Sequence, residues 1–204
     1  AGERLGLQWQ WQANPKDFFY SVKGHKGLRL SCLSNETRDN LLWYAPNALT
    51  QIPQHQAFSM TAKVRLQGHK KGDMAAIGMI GHKYAYLGME KTESGHALNL
   101  YTGTVTEKNF EGKAVETLSV SLPYEGDTVT LRLEVYYSKM YRFAWSADGI
   151  RYNFLGESQP LTRASWTGAK LCLWSANKLN CLSEGYGEYE FIHIEDRSNG
   201  EAGV

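Results

Sequence analysis

The sequence predicts an all-β chain, a single sandwich of two antiparallel sheets over residues 1–204. Three observations carry this. Apolar residues recur with period 2, and no window longer than about ten residues keeps a convincing helical repeat. Turn residues part these runs at the roughly 8–12-residue spacing of sandwich strands, which gives about a dozen of them. Finally, 20 Gly against only 5 Pro, with 12 Tyr, 7 Phe and 6 Trp, suits many strands joined by tight turns.

Taken in order, LGLQWQWQANP places Leu5, Leu7, Trp9 and Trp11 on one face of a strand that Asn14-Pro15 ends. That face fits a ligand platform or a buried strand, and the leucines beside the rings favour burial of at least one tryptophan. FSMTAKVRLQG is a half-buried strand, with Met60, Ala62, Val64 and Leu66 opposite Thr61, Lys63 and Arg65. MAAIGMIG and YAYLGME pair through Gly81-His82-Lys83, and HALNLYTGTV follows the turn Glu93-Ser94-Gly95 to complete a meander. Val129, Leu131, Leu133 and Val135 alternate with Thr130, Arg132 and Glu134 before a reversal near Ser138-Lys139. The next hairpin carries Asp148-Gly149, a dipeptide that suits a type I′ turn. A short helical turn is expected at Ser158 to Arg163. TGAKLCLWSA and YGEYEFIHIED close the chain as strands, the latter with Tyr189, Phe191 and His193 on one face and Glu190, Ile192 and Ile194 on the other. The expected core is Val64, Leu66, Leu131, Leu133, Phe143, Leu171 and Leu173.

Balanced charge, 22 Lys and Arg against 21 Asp and Glu, leaves no field to gather nucleic acid or an anionic membrane surface, so neither is expected as a partner. With no initiating Met, no signal-peptide pattern and no apolar run of membrane length, the chain reads as a mature or excised soluble fragment. Cys32, Cys172 and Cys181 lack metal-ligand spacing. A Cys172–Cys181 bridge is conceivable, but free thiols are the favoured reading, and the redox compartment stays open. No cofactor is expected. Asp73, Asp127, Asp148 and Asp196 stand alone, so a structural calcium would need backbone carbonyls.

Glycoside hydrolysis needs two carboxylates at one cleft. Glu188 and Glu190 form the only close pair on one strand face, and Ile192 and Ile194 continue that face where a third acid would stand. The six histidines are scattered singly, and no Ser-His-Asp order, phosphate loop or HExxH is present. No catalytic residue is therefore assigned. Sugar binding asks instead for flat rings beside amides, carboxylates or guanidinium groups. Trp11, Trp43, Tyr86 and Trp174 are candidates of that kind, each set against a core reading, and Glu90 shares the Tyr86 side of its strand.

Eight signatures occur in a familiar order: LGLQWQWQANPKDFFYSV, GLRLSC, APNALTQIP, FSMTAKVRL, AAIGMIGHKYAYLGM, YRFAWSADGIRYNFLGE, WTGAKLCLW and YGEYEFIHIED. Over nearly its whole length the chain resembles the concanavalin A-like C-terminal domain of family 43 glycoside hydrolases, of β-xylosidase and α-arabinofuranosidase type. The resemblance implies a concanavalin A-like jelly roll that packs on a catalytic five-bladed propeller of the same polypeptide, absent from this chain, with xylan or arabinoxylan oligosaccharides as substrates. It also implies a first strand with Trp9 buried and Trp11 partly exposed at the sheet edge. The family's aromatic before the Thr-Gly-Ala turn lies on a loop that can reach the propeller's active site, and this role falls to Trp166, where the family commonly has Phe. Trp166 is expected to be exposed, with a lid over the sandwich end as the alternative. Ile52 stands where a basic residue is frequent, and Glu190 where Asp is common. Three functions compete: an accessory domain that binds carbohydrate or completes its partner's active site, a structural brace for the propeller, and an autonomous lectin or glycanase.

Overall fold

The computed structural model describes residues 5–14, 16–22, 27–35, 39–106, 113–164 and 167–198. These form the strands β1 (Gln10–Trp11), β2 (Tyr20–Val22), β3 (Leu28–Ser31), β4 (Leu49–Gln51), β5 (Phe58–Gln67), β6 (Asp73–Ile80) and β7 (Lys83–Lys91). They continue as β8 (His96–Thr106), β9 (Lys113–Tyr124), β10 (Thr128–Val135), β11 (Met140–Ser146), β12 (Asn153–Pro160), β13 (Lys170–Asn177) and β14 (Tyr186–Asp196). Two seven-stranded sheets result. Sheet I runs β1-β4-β13-β6-β7-β8-β9 and sheet II runs β12-β11-β10-β5-β14-β3-β2, with antiparallel ladders throughout.

The main core fills the space between the sheets. The seven expected core residues, from Val64 to Leu173, are all buried there. Their burial follows from period 2: in β5 and β10 the apolar phase faces sheet I, while Lys63, Arg65 and Arg132 stay nearer water. The meander β6-β7-β8 forms as the turn signals predict and continues into β9, a strand the sequence reading did not single out.

Several expectations are corrected. The Leu5–Trp11 run is not one strand. Its start turns, with the Trp9 N–H donating to the Gly6 carbonyl, so only Gln10–Trp11 pairs and Leu7 is 102% exposed. Trp9 is half-buried rather than buried, and Trp11 is half-buried on the edge strand. No helical turn occupies Ser158–Arg163: β12 runs to Pro160, which a sheet-edge strand tolerates because its missing N–H can face outward. The β11–β12 connection is not type I′, since Gly149 alone of the pair has positive φ, 75°. The Asp148 carboxylate shapes it instead by accepting from the Ile150 and Arg151 N–H groups and the Ser146 hydroxyl.

The strict alternation read across β14 also fails. A bulge inserts Glu190 between Tyr189, opposite Val64, and Phe191, opposite Lys63. One extra residue inverts the phase. Tyr189 is buried before it, and after it Ile192 and Ile194 pack on the core while Phe191 and His193 are exposed.

Candidate functional site

The outer face of sheet I, turned away from the sandwich interior, carries a second buried cluster. Pleating sends Tyr84, Tyr86, Gly88 and Glu90 of β7 to this face, and with them Cys172, Trp174 and Ala176 of β13 and Asn99 and Tyr101 of β8. A strap, residues 39–48, lies across it. Its 3₁₀ turn, Leu42–Tyr44, and the buried Ala45 and Ala48 pack onto the cluster. The strap is pinned by amides: the Asn40 side chain donates to the Leu33 and Asn177 carbonyls, and that of Asn47 to those of Ser31 and Ser175.

Under the strap lies one ion pair. The Lys178 ammonium donates to Glu116 Oε2 at 2.9 Å and to the Asn40 carbonyl at 2.9 Å, with side chains only 9% and 4% exposed. Trp174, Tyr86 and Tyr101 surround the ammonium at 5.2, 5.4 and 4.9 Å from their ring centroids, close enough for cation–π attraction. Three further donors complete Glu116: the Tyr86 hydroxyl at 2.6 Å, the Tyr84 hydroxyl at 3.0 Å and the Leu42 N–H at 2.7 Å. Burial first, and then the Glu116 charge, pushes the Tyr84 and Tyr86 phenols above their ordinary range. Burial and Glu90 do the same to Tyr101, which donates to Glu90 Oε2 at 2.7 Å as Asn99 also does. Glu116 is thus held by one ammonium and three neutral donors, and Glu90 by two neutral donors.

The sequence-derived candidates are distributed as follows. Tyr86 and Trp174 are fully buried and offer no open ring face. Glu90 is half-buried beside them. Trp43 is half-buried at one end of the same face, its ring 6.5 Å from Tyr84 and 6.3 Å from His82. Trp11 lies apart, on β1, 5.0 Å from the Tyr20 ring. Trp166 lies outside the described residues. Glu188 and Glu190 are engaged by different cations, Arg29 at 2.6 Å and Lys63 at 2.7 Å. Glu116 and Lys178 were missed, and no local signal marks them because their pairing spans 62 positions.

Near Trp43, the segment that leads to Trp166 is fastened to the β6–β7 turn. The Thr162 hydroxyl donates to the Lys83 carbonyl at 3.0 Å and accepts from the Lys83 N–H at 2.9 Å, while the His82 N–H donates to the Arg163 carbonyl at 2.9 Å. Gly81 permits the approach, because a Cβ there would collide with the Thr162 carbonyl.

The two sheets with their roofed outer face define a sandwich of concanavalin A-like class. Within that class, the chain belongs to the family described as the β-xylosidase C-terminal concanavalin A-like domain, whose profile matches residues 1–195. A β-xylosidase of Formosa agariphila is 25% identical over 198 residues, covering 85% of this chain and 31% of that protein. Among solved structures, a bifunctional GH43-CE protein of Bacteroides eggerthii superposes with a TM-score of 0.78 at 23% identity, over 96% of this chain and 24% of that one. An engineered GH43 glycoside hydrolase with endo-xylanase and exo-arabinofuranosidase activity gives 0.81 at 19% identity, over 96% and 39%. The chain thus spans well under half the length of these relatives.

Proposed function

We propose that this chain is the non-catalytic accessory domain of a xylan- or arabinoxylan-degrading glycoside hydrolase, and that it completes the active site of a catalytic five-bladed propeller in the same polypeptide. Residues 161–169, with Trp166, make that contribution. The observation that carries this reading is the fastening of Thr162 and Arg163 to the Gly81-His82-Lys83 turn. A loop that must place one ring in another domain's pocket needs a rigid base, since small misplacements of positioning groups are costly to turnover. The burial of Tyr86 and Trp174 argues in the same direction, because it removes two rings from any open sugar platform on sheet I. The β-xylosidase relative supports the substrate class.

The test is Trp166→Ala, made both in the full-length enzyme and in this chain. Turnover or substrate affinity should fall, with kcat/KM down by about tenfold or more, while the isolated chain keeps its thermal midpoint. Unchanged kinetics would favour a structural brace. A large stability loss in the isolated chain would mark a buried lid, since truncating a buried Trp costs roughly 3–5 kcal/mol. The purified chain should not hydrolyse aryl xylosides or arabinosides, and activity abolished by Glu188→Gln or Glu190→Gln would overturn the non-catalytic reading.

A further inference from the structure

A cleft of about 410 Å³ opens between the start of the chain at the β1–β4 edge and the far half of β14. Its apolar lining is Leu28, Ile192 and Ile194, with the half-buried Trp9 ring and Phe191, 44% exposed. Its polar lining is Gln8, Gln51 and Glu190. Local backbone irregularity makes this wall. Gly27 turns with φ 84°, where a Cβ would strike the Tyr189 carbonyl, and the β3 ladder stops at Leu28 opposite Tyr189. Immediately beyond, the Glu190 bulge re-aims β14 and brings Phe191 to the surface. Bulges beside binding sites serve in this way.

We infer that this cleft binds a neutral pyranoside, one or two sugar units of a glycan chain, at a place separate from the loop of residues 161–169. The chemistry of the lining selects the ligand. Neither glutamine side chain hydrogen-bonds to the described residues of the protein, so each amide presents an acceptor oxygen and two N–H donors for vicinal hydroxyls. Among the described residues the only charged lining group, Glu190, is matched by Lys63 at 2.7 Å, so the described lining presents no unbalanced charge to attract an anionic ligand. Rings and aliphatic side chains suit the C–H faces of a pyranose, and the volume lies within the usual range of small-ligand sites.

The experiment is titration of the 204-residue chain with xylotriose, followed by calorimetry and by ¹H–¹⁵N spectra that include the Trp9 indole. Saturable binding is expected with Kd of about 1 mM, and the Trp9 indole should shift. Phe191→Ala and Gln51→Ala should each weaken binding about tenfold with the fold retained by circular dichroism, because the Phe191 residue is 44% exposed and the Gln51 side chain makes no hydrogen bond to the described residues. Trigalacturonate should bind more weakly than xylotriose. No saturation by about 20 mM xylotriose, or equal affinity in both variants, would overturn the inference. Binding that survives both variants but is lost in Trp166→Ala would place sugar at the loop instead, and would leave the active-site reading standing without this cleft. A blocked alternating Val-Thr hexapeptide that shifts the β14 amides where xylotriose does not would assign the cleft to strand addition and also overturn it.

Discussion

The two faces of the central strands of sheet I, β13, β6 and β7, are both buried, but by opposite means. Toward sheet II, Leu49, Ala75, Ile77, Met79, Ala85, Leu87, Met89, Leu98, Leu100, Leu171 and Leu173 form a mainly apolar face, its polar groups being Ser175, which meets the Tyr189 hydroxyl, and the Asp73–Asn177 pair at one end. On the outer face the same strands present Tyr84, Tyr86 and Trp174 under the strap, laced by Glu116 and Lys178. The first face gains its stability from apolar area and tolerates changes that keep volume. The second depends on every donor finding its acceptor, because a buried group left unpaired pays its full desolvation cost. A sandwich needs only the first kind. The second fastens a non-repetitive segment onto a sheet and so fixes the end of the face where Trp43, His82 and the Thr162 clamp stand.

The largest expected effect is therefore on the polar side. Glu116→Leu removes the acceptor of four groups at once and strands the Lys178 ammonium among rings. A loss of about 4–5 kcal/mol is expected in urea unfolding, in line with the cost of breaking a buried pair by deleting one partner. A loss below about 1 kcal/mol would mean that the strap lifts readily and water solvates the lysine, and the contrast between the faces would collapse.

Leu87→Ala probes the other face at the position next to Tyr86 on the same strand. About 3 kcal/mol is expected, as transfer free energy plus a residual cavity between Leu100 of β8 and Ile77 of β6. Leu87→Met, which keeps the volume, should cost less than about 1.5 kcal/mol. No isosteric replacement of Glu116 by an apolar residue has that property, which is the sharpest difference between the two surfaces.

The two faces also differ in how far the sequence foretells them. Strands such as β5 and β10, each with one polar face, reveal their inward phase through alternation, and the core residues taken from them are buried. In β6 all eight residues are buried, so its apolar run marks a strand without showing what covers either side. The pleat of β7 correctly groups Tyr86 with Gly88 and Glu90, yet a strand pattern gives direction only. The roof over Tyr86 comes from residues 39–48, and its ion pair from positions 116 and 178, contacts that belong to tertiary packing. The Glu190 bulge is equally silent, because Phe191 and Ile192 fit either phase of alternation until the ladder with β5 is known.

The smallest effect separates the faces by pH. Tyr86→Phe deletes the hydroxyl that donates to Glu116 and should cost about 2 kcal/mol at pH 7, as for a hydrogen bond to a charged group. Burial first and the Glu116 charge second raise the Tyr86 phenol above its unfolded value, near 10. The folded chain therefore holds this proton where the unfolded chain releases it. The associated stability is intact below about pH 10 and is lost as pH rises above it. Phenylalanine has no proton to release, so the gap between wild type and variant should narrow as pH rises above 10, by at most about 1.4 kcal/mol for each pH unit. Over the same range the Leu87→Ala gap should stay constant, since no titrating group is removed. Urea unfolding at pH 8, 10 and 11 measures both. A Tyr86→Phe gap as wide at pH 11 as at pH 8 would show that the hydroxyl ionises as freely in the folded chain as in the unfolded one, and that the outer face is open to water after all.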